Sequence, residues 1–398
     1  MDTVHAGAMT STLPADPALP AVVHLVGPEA TPVLSAVVES AGGRLLDARA
    51  NHVQYRPGSD AVVRFEATVA WGNRPAQRET LLAATTRDGV HPGTVPVTAT
   101  VGGTDLAIGV WRWPFDPVLT ALTTMVTPDL AAAALGDVAR GPVELTVVAY
   151  RPTERAVVRV VDAGGSTHYV KVLPSGEVTQ LVRRHAALLG AGLPVPAIVA
   201  SGDGWVAMTE LAGTTLRDLI KGAPGAWPSA EAFVEMLARL RDIELPARTA
   251  PSRLVDACGH ASMLRLVTPE LAATLDGITA ALAPARERSL ERRATVHGDL
   301  HEAQVIVERG RIIGLLDIDD VGVGDPLDDM ATLVAHTWFR AVVADDDAVT
   351  ERLARYAHRL FERFAADAAH FGADDRELRL AVAAVLVGLA TGPYRSQR

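Results

Sequence analysis

The chain has 398 residues, 48% of them hydrophobic, a formal net charge of −10 and one cysteine. That length exceeds one ordinary core and predicts two or three domains. The composition excludes three classes: no apolar run reaches the roughly 18 residues of a membrane span, no Lys/Arg-rich block marks a nucleic-acid partner, and a lone Cys258 leaves no internal disulfide, which fits a reducing cytoplasm. Cys258 reads as a small, partly buried side chain rather than a nucleophile.

The first twenty residues, MDTVHAGAMTSTLPADPALP, lack the basic and apolar regions of a secretory signal and read as a flexible tail. An N-terminal α+β module is predicted over 21–137, a second α+β module over 138–212, and a mostly helical remainder over 213–398. Two segments repeat. VQYRPGSDAVVRF (53–65) and VAYRPTERAVVRV (148–160) are identical at eight of thirteen positions. Each reads as strand, tight turn, strand, with Pro57 or Pro152 opening the turn. Two copies about 95 residues apart describe a duplicated module rather than a solenoid.

LGDVARGPVE (135–144) is a predicted linker. EVTQLVRRHAALLGAG has the apolar spacing of a helix closed by Gly190 and Gly192 and followed by LPVP. GWVAMTELAG reads as a strand running into a connector. Beyond it, AFVEMLARLRDI, DDMATLVAHTWF, VTERLARYAHRLFERFAADAAHF and ELRLAVAAVLVGLA carry helical periodicity. A hairpin over 304–317 is the main strand signal among them.

Of 37 basic residues only two are lysines, Lys171 and Lys221. Lys221 falls in KGAPGAWPS, read as a loop. Lys171 sits inside THYVKVLP, an alternating strand reached from the second repeat; the first repeat leads to no lysine. A chain that otherwise uses arginine keeps a compact ammonium there, which points to a site needing a point charge. An ordinary exposed strand residue is the competing reading.

HGDLHEAQ (297–304) precedes the hairpin and VIVERGRIIGLLDIDD forms it. With a two-residue turn at Arg309-Gly310, Gln304 lies across from Leu315, so Gln304 and Asp317 share a face near the open end. Asp299 is on the loop just before. An amide oxygen, a carboxylate and a second carboxylate nearby suit Mg²⁺, which keeps several waters and is completed by substrate phosphates. The alternative is that Asp299, Asp317, Asp319 and Asp320 are loop-end caps. His297 and His301, four apart beside Glu302, superficially suggest zinc, but the order is wrong for H-E-x-x-H and Gly298 breaks a ligand-presenting helix.

Residues 297–331, HGDLHEAQVIV…GLLDIDDVGVGDPLDDMA, resemble the aminoglycoside phosphotransferase family, the small-molecule branch of the protein-kinase-like fold. Its pattern is H-G-D-x-x-x-x-N, then I-D-F/W, then G-D-P-x-x-D-x-A. YVKV, LPVP and MTELAGTTL extend the resemblance over roughly residues 140–335, and more loosely over the helices to the C-terminus. It implies an α+β, protein-kinase-like two-lobed fold with an additional N-terminal α+β module. The implied reaction moves the γ-phosphoryl group of ATP, with Mg²⁺, to a hydroxyl of a small polar acceptor such as an aminoglycoside, aminosugar or sugar. By the same resemblance Asp299 is the catalytic base, Asp317 and Gln304 hold Mg²⁺, and Lys171 contacts the phosphates. The backbone around Glu210, Leu211 and Ala212 meets adenine, and His297 and Asp329 are structural. Such a site works by positioning and charge neutralisation, because phosphoryl transfer needs little covalent help.

Three departures stand out. Gln304 replaces the metal-binding Asn; maltokinase-like and glucosamine-kinase-like sugar kinases are similar in reading H-G-D-x-H-x-x-Q and in carrying an N-terminal cap. His185 occupies the place of the helix glutamate expected to pair with the lysine, with Glu177 two turns earlier as second choice. RPTER lacks the glycines of a phosphate loop, and Arg155 within it reads as a solvated turn residue. Asp319, Asp320 and Glu302 are candidate acceptor contacts, and His301 is a substrate contact or a loop brace. ADDDA (344–348) reads as a helix start, and Arg395 as part of a plain tail. A catalytically weak pseudokinase that senses nucleotide or metabolite is the alternative function, on the strength of His185 and Gln304.

Overall fold

A computed structural model describes residues 16–101, 104–222, 226–245, 248–392 and 396–397. Helices α1 (Val22–Leu25) and α2 (Ala30–Ser40) precede strands β1 (Gly43–Arg56), β2 (Asp60–Trp71), β3 (Gln77–Thr86), β4 (Val95–Val101) and β5 (Thr104–Arg112). The strands form a wholly antiparallel sheet in the order Ser396–Gln397, β1, β2, β3, β5, β4. Both its faces are covered. Leu34 and Val38 of α2 pack on Val53, Val63, Phe65 and Ile108. Val62, Leu82, Ala84 and Trp111 on the other face meet Trp113 and Tyr150. Burial on both faces explains why AVVRF is apolar without strict alternation.

The second sheet follows α3 (Leu122–Met125) and α4 (Pro128–Leu135). It contains β6 (Val143–Arg151), β7 (Arg155–Asp162), β8 (Thr167–Val172), then helix α5 (Val178–Gly190), β9 (Ile198–Gly202) and β10 (Trp205–Thr209). The order is β6-β7-β8-β10-β9, again antiparallel throughout. The sequence division puts α3 and α4 in the first module, but Leu119, Leu122, Met125 and Leu135 pack on Val158, Val160, Val170 and Val172 of this sheet. Each sheet thus has its own preceding helix pair.

The repeat therefore reaches further than the hairpins. Asp16-Pro17-Ala18-Leu19 corresponds to Asp116-Pro117-Val118-Leu119. Asp16 accepts from the Tyr55 hydroxyl at 2.8 Å and from Gly58 N at 2.7 Å. Asp116 accepts from the Tyr150 hydroxyl at 2.8 Å and from Thr153 N at 2.9 Å. Leu19 and Leu119 are both fully buried. Residues 16–20, assigned to a flexible tail by sequence, are thus packed; residues 1–15 lie outside the described residues. Register identifies what the first copy lacks. Val157 pairs with Lys171, and its counterpart Val62 pairs with Ala84.

The C-terminal part begins with β11 (Thr214–Thr215), α6 (Leu216–Lys221) and α7 (Ala230–Arg241). Lys221 ends α6 rather than lying in a loop. Next come α8 (Arg253–Val267), α9 (Ala272–Ser289), β12 (Ala294–Val296), β13 (Val305–Glu308), β14 (Arg311–Leu315) and β15 (Gly322–Gly324). Finally α10 (Pro326–Val342), α11 (Asp347–Ala368) and α12 (Asp375–Ala390) close the lobe. Helices α8 and α9 escape the sequence reading, because Pro284 lies within α9 and neither helix has a clean apolar stripe. Helix α10 is buried along most of its length in the main core. Its start is capped by Asp325, which accepts from Leu327 N at 3.0 Å ahead of Pro326. Asp346, from the 344–348 acidic run, caps α11 through Val349 N at 2.9 Å.

The β13–β14 hairpin turns at Arg309 and Gly310, with φ of 49° and 77°. A bulge between Ile306 and Val307 corrects the expected register: Val305 faces Leu315, and Gln304 O accepts from Leu316 N at 2.8 Å. Among the described residues no helix is long and apolar enough to cross a membrane. Asp116→Ala should lower the urea midpoint by an amount equivalent to about 1–3 kcal/mol, because it strands a buried tyrosine hydroxyl and a turn N–H. An unchanged midpoint would count against Asp116 as the brace of the second hairpin.

Candidate active site

The loop between β12 and β13 is held from below. Asp329, on the first turn of α10, accepts from His297 N at 2.6 Å and Gly298 N at 2.9 Å. His297 Nε2 lies 2.9 Å from Leu316 O, at the end of the hairpin. Gly298 has φ of +84°, and a Cβ there would sit 2.7 Å from Asp320 O, so only glycine fits. Two backbone N–H groups and a histidine bond thereby fix the loop that presents Asp299.

Across the lobe interface stands a cluster of four charges. Lys171, on β8 and 5% exposed, places Nζ 2.8 Å from Asp317 Oδ1 and 2.5 Å from Asp319 Oδ2. Arg155, at the start of β7, places Nη2 2.9 Å from Asp317 Oδ2 and Nη1 3.3 Å from Asp319 Oδ2. Arg155 is thus an ion-paired site residue, not the solvated turn residue expected. Burial alone would raise the Asp317 carboxyl, but Lys171 and Arg155 outweigh it and hold the group well below the ordinary carboxylate range. Asp317 has φ of +54°, a left-handed conformation that a short carboxylate tolerates better than most residues.

His185 makes no ion pair with the lysine. It is 3% exposed, and its Nδ1 lies 2.8 Å from Pro196 O. Burial holds it below its ordinary value, against the Pro196 bond, so it is neutral at pH 7. The anions beside Lys171 are Asp317 and Asp319, so Asp319 is engaged by the lysine rather than facing an acceptor as expected. Glu177 is exposed on the turn before α5, and the carboxylates paired with Lys171 are those of Asp317 and Asp319 instead. Asp320 pairs with Arg248 at 3.0 Å on the surface.

Asp299 is 37% exposed at its side chain. Its Oδ1 accepts from Arg253 Nη2 at 3.1 Å, and Arg253 also donates to Gly298 O. Its Oδ2 lies 3.7 Å from His301 Nε2. A cavity of about 160 Å³ opens beside it, lined by Asp256, His260, Thr332 and His336 among others. Burial presses His301 down to about 4, despite the nearby carboxylates. The ring stacks on His336 with centroids 4.6 Å apart and planes at 7°.

Glu302, a candidate acceptor contact by sequence, is fully buried instead. Its Oε1 accepts from Arg217 Nε at 2.9 Å and Arg340 Nε at 2.8 Å. Its Oε2 faces His336 Nδ1 at 3.4 Å and His301 Nδ1 at 3.6 Å. Burial would raise this carboxyl, but His336, Arg217 and His301 hold it well below the ordinary range. His301, Glu302 and His336 are near enough to share a metal. Parallel stacking, however, keeps one ion from lying in both ring planes, so the arrangement is a charge-matched brace. Arg253 and His336 carry no sequence signal: Arg253 lies on α8, 46 residues before Asp299, and His336 lies on α10 just past the last residue of the motif.

Glu210, Leu211 and Ala212 link β10 to β11 with partly or fully exposed side chains, and Tyr169 hydroxyl donates to Glu210 Oε1 at 3.5 Å. Cys258 is half-buried on α8, beside Arg286 at 3.6 Å. Arg395 lies outside the described residues. Gln304 Nε2 lies 3.5 Å from Asp317 Oδ2 and 3.3 Å from His301 Nε2. Asp319 Oδ1 is buried with no hydrogen-bond partner. Two carboxylates and an amide that can present its oxygen make a hard, oxygen-only donor set, which fits Mg²⁺.

The sequence pattern of the phosphotransferase enzyme family, APH, matches residues 147–370, more than half of the chain. A comparison with curated proteins gave no match. Among solved structures, an aminoglycoside-3'-phosphotransferase of type VIII is 19% identical, with a TM-score of 0.45 over 65% of this chain and 98% of that one. A thermostable mutant of aminoglycoside phosphotransferase APH(4)-Ia, in ternary complex with ADP and hygromycin B, is 18% identical, with a TM-score of 0.45 over 67% of this chain and 92% of that one. APH(3'')-Id from Streptomyces rimosus, in complex with ADP and streptomycin, is 20% identical, with a TM-score of 0.44 over 67% and 98%. With the HGD loop, the lysine strand and the aspartate hairpin all inside the matched span, the chain belongs to the APH phosphotransferase family and is a phosphotransferase.

Proposed function

We propose that this phosphotransferase transfers the γ-phosphoryl group of ATP to a hydroxyl of a small polar acceptor: an aminoglycoside, aminosugar or sugar. The observation that carries the reading is the meeting of Lys171, Arg155, Asp317 and Asp319 at the lobe interface, with Asp299 on the neighbouring loop. Asp317 and Gln304 would hold Mg²⁺, which supplies charge neutralisation for the nucleotide phosphates. Lys171 and Arg155 bring two more cations to the same end of the site. The backbone of Glu210, Leu211 and Ala212 is the proposed adenine contact.

Asp299 takes the acceptor hydroxyl's proton, through an oxygen exposed toward the small cavity. Arg253 fixes the other oxygen and so sets the direction of approach. His301, neutral at pH 7, braces Gln304 and the loop without adding charge. Asp319 anchors Lys171 in place of the helix glutamate. That substitution removes one of the two grounds for a pseudokinase, since the lysine has its anion without His185.

Release of ADP from Mg-ATP, measured against a panel of monosaccharides, disaccharides, aminosugars and aminoglycosides, tests the reaction. One member should stimulate release, and Asp299→Ala should reduce that by about 10²–10⁴-fold. Absence of both nucleotide binding and turnover would sink the proposal. Asp319→Ala should raise KM for ATP by about tenfold, the loss of one charge-assisted contact. Adding His185→Glu to that variant should recover part of the loss. Failure of the second change to recover any of it, in a folded protein, would show that Asp319 does not act through Lys171.

A further inference from the structure

A cavity of about 790 Å³ opens where the two repeated hairpins meet rather than at Asp299. Gln54 Nε2 donates to Glu154 Oε1 at 2.6 Å, and Arg56 Nη1 lies 3.1 Å from the same oxygen. The end of the first hairpin therefore rests on the turn of the second. Arg56 and Arg151 hold the same position in the two copies, and both line the cavity. Arg183 and Arg184 enter from α5, Arg248 from the segment before α8, and His91 from the loop between β3 and β4.

With Arg155 the lining has six arginines, against Glu154, Glu177, Asp319 and Asp320. Three of those acids are already neutralised: Glu154 by Arg56, Asp319 by Lys171 and Arg155, and Asp320 by Arg248. Arg151 and Arg183 form no ion pair or side-chain hydrogen bond among the described residues. Arg184 is 9% exposed, yet its hydrogen bonds go to the backbone carbonyls of Ile318 and Asp319 rather than to an anion. His91 Nε2 is buried with no hydrogen-bond partner. Buried cations are ordinarily matched by anions, which Arg184 lacks, and a concave surface concentrates the field of the exposed, unpaired Arg151 and Arg183.

We infer that this cavity is a binding site for a small phosphate-bearing metabolite, held by Arg151, Arg183 and Arg184. Guanidinium groups match phosphate oxygens two at a time, and the volume suits a ligand of metabolite size. All three arginines come from the second copy of the module, and Arg56 and His91 of the first copy complete the wall. The cavity shares Arg155 and Asp319 with the cluster around Lys171, so occupancy is felt at the phosphate end of the proposed nucleotide site. The inference does not depend on which acceptor the enzyme uses.

The test is calorimetric titration of inorganic phosphate into the full chain, without nucleotide and at fixed ionic strength. It is repeated with the double variant Arg151→Ala/Arg183→Ala and, separately, with Lys171→Ala. Both arginines are exposed, so the double variant should fold, which circular dichroism checks. Saturable one-site binding is expected in the unaltered chain and in Lys171→Ala, weakened about tenfold or more in the double variant. Binding lost with Lys171→Ala and kept in the double variant would put the anion in the nucleotide site and overturn the inference. So would an absence of saturable binding, or binding that neither variant changes. Citrate titrated in the same way separates ligand classes: if it binds as tightly as phosphate, the assignment to phosphate fails.

Discussion

Asp317 and Asp319 stand two residues apart at the end of a C-terminal hairpin, and the cations that neutralise them, Lys171 and Arg155, come from two adjacent strands of the other lobe. Burying either pair of like charges without the other would be costly, and removing one member of such a pair typically destabilises by about 3–5 kcal/mol. The two lobes are therefore tied at the point where the proposed chemistry occurs. The loop bearing Asp299 is fixed to the same end of the hairpin through His297 and Asp329. The residues of the proposed site are all referenced to one short stretch of backbone.

Placing the lysine's anion on the hairpin changes what α5 has to do. With Asp319 beside Lys171, the inward face of α5 carries His185 bound to a backbone carbonyl and Arg184 bound to two others. The helix is held by those backbone bonds and by Leu181 and Leu188 in the core, not by an ion pair to Lys171. Its basic side can then face the cavity between the hairpins.

Duplication explains the rest of the architecture. The first copy keeps what holds a hairpin: the Asp-Pro-x-Leu segment, the tyrosine hydroxyl on that aspartate, and the apolar strand pairs. It has lost what meets a ligand, with Ala84 at the lysine position and Asp60 at the Arg155 position, tied to Arg56 at 2.6 Å. Ala84, with Val62, Leu82 and Trp111, becomes a face that packs on Tyr150 of the second copy. Full burial of a large apolar side chain contributes about 1.5–3 kcal/mol. The first copy therefore has an apolar face where the second has the lysine.

By itself the sequence determined the family, the two-lobed kinase-like class, the hairpin repeat and most C-terminal helices, and it singled out Asp299, Asp317 and Lys171 as the proposed site residues. These were legible because each is local: a short motif of constrained spacing, an apolar period, or one lysine in a chain of arginines. Only the tertiary structure decided that Asp319 anchors the lysine, that Arg155 is a site residue, that Glu302 is a buried brace and that Arg253 positions Asp299. The hydrogen bonds behind those assignments join residues 38 to 164 positions apart. An isolated acidic or basic letter reads the same whether it ends in solvent or in an ion pair, and burial and partner distance exist only once the lobes have closed on each other.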